Sequence, residues 1–379
     1  MTTTVATNKL LEVKNLGVDY SAANGTVHAV IDVSFTLERG KVLGLAGESG
    51  SGKSTLAYAI TRLLRPPALI TGGKVIYYPE PIEKSNGAKH AKNNAWELDA
   101  PTDILQCSPQ QLRAFRWDTM AIVFQSAMNA LNPVMNIGAQ IMDVLQTHRP
   151  EMGPDARRIR AIELLKLVGI APDRLRSYPH ELSGGMRQRA VIAIALALNP
   201  EIIIMDEPTT ALDVVVQREI LTEIMQLSKE FGFSVIFITH DLSLLLELAD
   251  NVAIMYAGRI VEYASQDDLY SHPRHPYSYG LLNSFPTLYG PRLKMAGIPG
   301  TPPDLRAIPS GCAFHPRCPL AFEPCNRVLP ILQPLNMADS EQSSLVACHL
   351  YDARFREEPP GTEEIGTHYA ALAERSERS

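Results

Sequence analysis

Four groups of residues in this chain have the types and spacing for phosphate chemistry. Gly47-Glu48-Ser49-Gly50-Ser51-Gly52-Lys53-Ser54 has the pattern of a phosphate-binding P-loop. Glycines at that spacing let backbone N–H groups turn inward around phosphate oxygens, and the helix that follows adds its positive end. Lys53 is placed to reach β- and γ-phosphates and Ser54 to hold Mg2+. Gly47, Ser49, Gly50, Gly52 and Thr55 complete the expected cradle. The stretch Ile202-Ile203-Ile204-Met205-Asp206-Glu207 puts two carboxylates after an apolar run. Asp206 suits Mg2+ held through water, and Glu207 suits a general base that polarises an attacking water. Gln125 and His240 each follow a further apolar run. Taken singly, each has a plain structural reading: a glycine turn, an acidic strand end, a surface glutamine, a structural histidine. Their order and distances along one chain favour the chemical reading.

Positioning these groups requires strands and helices of a particular kind. Residues 42–46, 121–124, 202–205 and 235–239 are short apolar runs, the pattern of strands buried on both faces. The first ends at the P-loop and each of the other three leads into a polar residue, and in open α/β sheets ligands sit at the carboxyl ends of the strands. Residues 54–64 carry Leu56, Ile60, Leu63 and Leu64 at helical spacing. Strand, glycine-rich loop and helix are the context a P-loop needs. Residues 155–168 and 185–198 also have helical spacing, so about 126–196 is predicted to be an inserted helical subdomain. Residues 79–94 are polar and form a solvated insert.

Leu182-Ser183-Gly184-Gly185-Met186-Arg187-Gln188 is the residue pattern by which the chain resembles ATP-binding cassette (ABC) ATPases. The resemblance spans residues 8 to about 265. It implies a P-loop NTPase with a RecA-like α/β core, an antiparallel β-subdomain and a helical subdomain. It also implies that two cassettes close head to tail over two ATP molecules, with Ser183, Gly184 and Gly185 meeting the γ-phosphate held by the opposite subunit. By the same resemblance Gln125 senses the γ-phosphate and Mg2+, and His240 is the switch histidine. Ala211-Leu212-Asp213 then crosses the dimer interface, and Tyr20 stacks on adenine. Without it, Ser183 is an N-cap before a Gly-Gly turn.

The chain changes character after Tyr263, where prolines punctuate an irregular extension. His275-Pro276-Tyr277-Ser278-Tyr279-Gly280-Leu281-Leu282, Ile298-Pro299-Gly300 and Gly311-Cys312-Ala313-Phe314-His315-Pro316-Arg317-Cys318-Pro319 resemble the extension of oligopeptide/dipeptide importer ATPases. Cys325 and Cys348 follow. The cysteine spacings do not fit a zinc ribbon, whose ligands pair two to four residues apart. Four thiolates suit a [4Fe–4S] cluster, and the resemblance implies one at Cys312, Cys318, Cys325 and Cys348. Four buried free cysteines are the plain alternative. Cys107 is a bystander.

The 379 residues are 45% hydrophobic and 20% charged, ordinary for a protein with a sizeable core. A net charge of −6 argues against a nucleic-acid partner, whose binding rests on phosphate neutralisation. No apolar run reaches the roughly 20 residues of a membrane span, and the N-terminus lacks the marks of a signal peptide. The expected organisation is a nucleotide-binding domain over 1–265, an irregular Cys-containing extension over 266–352, and a polar tail over 353–379, either a frayed helix or disordered. The expected function is ATP hydrolysis coupled to import. The enzyme sits at the cytoplasmic face of the membrane with ATP, Mg2+ and the cluster. Its partners are a second ATPase subunit, identical or paralogous, two membrane permease subunits and, indirectly, an extracytoplasmic solute-binding protein. Peptides lead as cargo. Oligosaccharides, nickel, a soluble non-transport ATPase and an iron–sulfur sensing module stay open.

Overall fold

The structure, a computed structural model, describes residues 8–80, 100–125, 130–208, 213–284, 297–335 and 344–376, with side chains described as far as 372. Most of the polar insert at 79–94, and Ala211 and Leu212, lie outside the described residues.

Two sheets make the frame. The first is antiparallel: β1 (Lys9–Ala22) and β2 (Gly25–Glu38) form a long hairpin. Further along the chain, β3 (Val42–Ala46) belongs to the second sheet, while β4 (Ala68–Tyr77) and β5 (Thr102–Asp103) extend the first in the order β2-β1-β4-β5. The second sheet also takes β6 (Met120–Val123), β7 (Ile202–Asp206), β8 (Ser234–Ile238), β9 (Asn251–Tyr256) and β10 (Arg259–Ser265). Short strands β11 (Gln333–Pro334) and β12 (Leu345–Val346) complete it. Its order is β11-β12-β10-β9-β3-β8-β7-β6, and the five strands from β9 to β6 are mutually parallel.

The apolar runs are explained by burial on both faces of this sheet. Ile203, Met205, Val235 and Phe237 pack into one core. Their alternating neighbours Ile202, Ile204, Ile236 and Ile238 pack into the other, with the antiparallel sheet. The period of two is present in space but hidden in sequence, because both faces are dry.

Helices α1 (Lys53–Ile60) and α2 (Pro109–Asp118) precede a helical region of α3 (Ile137–His148), α4 (Pro154–Leu167) and α5 (Gly184–Ala195). That region falls inside the predicted subdomain. Helix α1 stops at Ile60, short of the predicted 64, because Thr61 closes it and Arg62 takes a left-handed φ of 53°. Helices α6 (Val214–Phe231), α7 (Leu242–Leu248), α8 (Gln266–Ser271) and α9 (Pro276–Leu282) follow, and α10 (Thr362–Ser376) closes the chain.

Of the two readings of the tail, the structure has the helix, docked on α9 over Thr362–Ser376 rather than frayed. Ile365 and Tyr369, one helical turn apart, are buried. The Tyr369 hydroxyl donates to the Pro276 carbonyl at 2.8 Å, and its ring lies 5.4 Å from that of Tyr279. These two anchors hold the helix in place.

Glu262 ties the extension to the sheet. It is fully buried on β10 and accepts backbone N–H bonds from Arg274 (2.8 Å) and His275 (2.9 Å), just before α9. Burial outweighs these bonds and pushes its pKa from 4.5 up to about 7. A carboxyl with a raised folded pKa costs stability as pH climbs from the unfolded value through the folded one. The thermal midpoint is thus expected to lose a contribution between about pH 5 and about pH 7, and Glu262→Gln removes that contribution. Unfolding midpoints across this range check it; parallel profiles for the two proteins would contradict it.

Candidate functional site

The carboxyl ends of β3, β6, β7 and β8 lie side by side, and each delivers a chemical group. From β3 the chain enters the P-loop, whose shape depends on glycine. Gly47 (φ 146°) and Gly52 (φ 104°) occupy conformations that L side chains avoid. A Cβ on Gly47 would drive into the Met255 carbonyl, and one on Gly52 into the Ala29 carbonyl. The loop is wedged between β2 and the end of β9. Gly52→Ala is accordingly expected to weaken nucleotide binding by more than about tenfold and to lower the unfolding midpoint. A nucleotide titration checks this.

Lys53 is buried and donates to the carbonyls of Gly47 (2.7 Å) and Glu48 (2.9 Å) and to Ser51 Oγ (3.3 Å). Burial pulls its pKa down, while Glu207, Asp206 and Glu48 pull it back up. Its ammonium therefore already sits in the negative field of the site. The Tyr20 hydroxyl lies 3.2 Å from Thr55 Oγ1, which brings that ring to the start of α1.

Asp206 is fully buried at the end of β7. Its Oδ1 accepts from Ser54 Oγ at 2.9 Å, whereas Oδ2 is buried without a hydrogen-bond partner. Burial pushes this carboxyl up, with Glu207 adding to the push and Ser54 and Lys53 opposing it. An orphaned carboxylate oxygen beside a hydroxyl fits a hard divalent cation, so the residues present suit Mg2+.

Glu207 has a left-handed φ of 45°, an outlier for a residue with a long side chain. Its N–H donates to Ile238 O at 2.9 Å, which ties the strained residue to β8. The side chain accepts from Gln125 Nε2 at 2.9 Å, and His240 Nδ1 lies 3.4 Å away. Gln125, Glu207 and His240 thus form one cluster delivered by three neighbouring strand ends.

Ser183, Gly184 and Gly185 are elsewhere, at the head of α5. Ser183 caps that helix by accepting from Met186 N at 3.3 Å. Gly185 faces Val216, leaving no room for a side chain. Asp213 caps α6 by accepting from Val216 N at 3.0 Å. The expected signature peptide and interface residue therefore meet at one seam, apart from the chain's own P-loop.

The four C-terminal cysteines lie in one neighbourhood of the extension. Cys312 N donates to Cys325 O at 2.8 Å, and each of the four thiols acts electrostatically on others of the set. None is in a disulfide. Burial pushes Cys312 up to about 11 and Cys318 up to about 12, and raises Cys325 and Cys348 also. Among the described residues, however, no group of three or more His, Cys, Asp or Glu could hold a metal ion.

Two contacts went unread in the sequence. Arg317 and Tyr277 of the extension both reach Glu48 in the P-loop. No local spacing announces a pair 269 residues apart.

Strand-end chemistry of this kind, on a parallel sheet with an antiparallel companion and a helical insert, is the build of an ABC-type ATPase. The profile of the ABC transporter family matches residues 30–210, and that of the oligopeptide/dipeptide transporter C-terminal region matches residues 261–325. The chain belongs to the family of ABC transporter ATP-binding subunits that carries this C-terminal region. It is 42% identical over 326 residues to the oligopeptide transport ATP-binding protein OppD of Salmonella typhimurium, covering 86% of this chain and 90% of that one. It is 40% identical to the dipeptide transport ATP-binding protein DppD of Bacillus subtilis, covering 91% and 96%. Among solved structures it is similar to a dimeric, post-hydrolysis ATP-binding cassette bound to ADP and Pi. That match has a TM-score of 0.55 and 27% identity, and covers 68% of this chain and 99% of that one. No described helix is long and apolar enough to cross a membrane.

Proposed function

We propose that the chain is the ATP-hydrolysing subunit of a peptide importer, docked on membrane subunits at the cytoplasmic face. The observation that carries this is the joining, in one molecule, of the strand-end ATP site to an extension of the oligopeptide/dipeptide type. In this reading the P-loop amides from Gly47 to Gly52, with Ser49, Lys53 and Thr55, hold the phosphates, and Tyr20 stacks on adenine. Ser54, Asp206 and Gln125 hold Mg2+, which neutralises charge on the β- and γ-phosphate oxygens. Glu207 takes the proton of the attacking water, and His240 keeps that water in line. A second cassette, identical or paralogous, contributes its Ser183–Gly185 segment, and Asp213 lies across the shared interface. Two permease subunits carry the cargo, delivered by an extracytoplasmic solute-binding protein.

Cells lacking this chain are expected to lose uptake of labelled peptide. The wild-type chain restores it and Glu207→Gln does not. Restoration of nickel or oligosaccharide uptake instead would overturn the peptide assignment and leave the ATPase intact.

The four cysteines are read as ligands of a [4Fe–4S] cluster. Their mutual approach, their freedom from disulfides and their backbone N–H donors support this. Those donors come from Phe314 and His315 at Cys312, Leu320 at Cys318 and Leu350 at Cys348. Such hydrogen bonds tune cluster thiolates. Anaerobic purification is expected to give about four iron and four sulfide per chain, the content of one such cluster. A chain without either would remove this assignment.

A further inference from the structure

We propose that Arg317 is a positioning residue of the ATP site: the C-terminal extension holds the P-loop in shape through the Arg317–Glu48 pair. Glu48 is the joint at which three restraints meet. Its carboxylate takes both arms of the Arg317 guanidinium, at 2.6 and 2.9 Å. Its N–H donates to the Tyr277 hydroxyl at 2.8 Å. Its carbonyl accepts from Lys53 Nζ at 2.9 Å and from Ser51 N at 3.2 Å. A shift of Glu48 therefore moves the two groups that grip Lys53 and turn the loop.

Arg317 is itself fixed. Its side chain is 6% exposed. Nε donates to Pro299 O at 2.7 Å, Nη1 to the Tyr256 hydroxyl at 3.3 Å, and the guanidinium lies 5.8 Å from the Tyr256 ring centre. Tyr256 is held in turn by Tyr277 and Phe314, the three rings packing edge to face or tilted with centroids 4.6 to 5.3 Å apart. A planar, two-armed cation in a rigid aromatic nest fixes the direction of its partner as well as its distance. An ion pair this buried is a poor source of stability compared with apolar packing. Its placement on the P-loop gives it a use that packing cannot supply.

The alternative is a staple that only docks the extension. Nucleotide affinity separates the two. Full-length protein is titrated with MgADP, which is not hydrolysed, as wild type, Arg317→Gln, Arg317→Lys, Glu48→Gln and the Glu48→Gln/Arg317→Gln double variant. The positioning role predicts a rise in Kd of about tenfold in each Gln single variant, with the double no worse than the weaker single, because the pair acts as a unit. Arg317→Lys keeps the charge and loses the fork, and is expected to fall between wild type and Arg317→Gln. Should Arg317→Gln fail to fold, Arg317→Lys and Glu48→Gln decide. Variants that bind MgADP as tightly as wild type, whatever their unfolding midpoints, would reduce the pair to a staple and overturn the proposal.

Discussion

Glu207→Gln is expected to bind ATP as well as wild type and to hydrolyse it about 10³-fold more slowly, within the range for loss of a general base. The substitution keeps the shape of the side chain and an oxygen that can accept from Gln125, which donates to it at 2.9 Å. The Lys53, Ser54 and Asp206 contacts are untouched, so the phosphates keep their partners. The capacity to take a proton is lost, together with the charge that acts on Lys53 and Asp206. The strained backbone at φ 45° is held by the β8 ladder and stays in place. ATP is then trapped between two cassettes, and a dimer stable to size exclusion in MgATP is the accompanying sign. Steady-state hydrolysis and equilibrium binding, measured on one preparation, check both halves. Turnover near wild type would remove Glu207 from the base role.

Lys53→Ala is expected to fail at the earlier step. Lys53 is buried, held by the loop carbonyls and under the influence of the Glu207, Asp206 and Glu48 carboxylates. Its loss removes charge-assisted bonds to phosphate worth about 1.5–3 kcal/mol each, so nucleotide affinity drops by about 10²-fold. Hydrolysis disappears with binding. The two variants thus divide the site: one binds without turnover, the other does neither. Lys53→Ala with wild-type affinity would place the phosphates elsewhere.

Much of the site was legible because its parts are local. The strand runs 42–46 and 202–205 were readable as buried strands, and the P-loop after the first and Asp206 after the second marked the ligand edge. Gly47 and Gly52 were readable as loop formers, although their steric cause is a neighbour far away, the Met255 and Ala29 carbonyls. What was not legible is long-range. Residues 362–376 are polar along most of their length, and only Ile365 and Tyr369 anchor them, so composition pointed to a tail. Arg317 sat in plain view between Cys312 and Cys318. The cysteines drew attention as ligands, and nothing in spacing said that the arginine between them turns toward the P-loop. The cysteines themselves show the limit of counting residues: the right ligand types are present in the sequence, while among the described residues no group of three or more His, Cys, Asp or Glu is arranged to hold a metal ion.

The most direct test of the central claim is ATP hydrolysis by this chain reconstituted in liposomes with its membrane subunits, with peptide-loaded solute-binding protein on the outer side. The account predicts hydrolysis that rises when peptide is supplied, together with peptide accumulating inside, both abolished by Glu207→Gln. Hydrolysis indifferent to peptide, with no peptide inside, would contradict it.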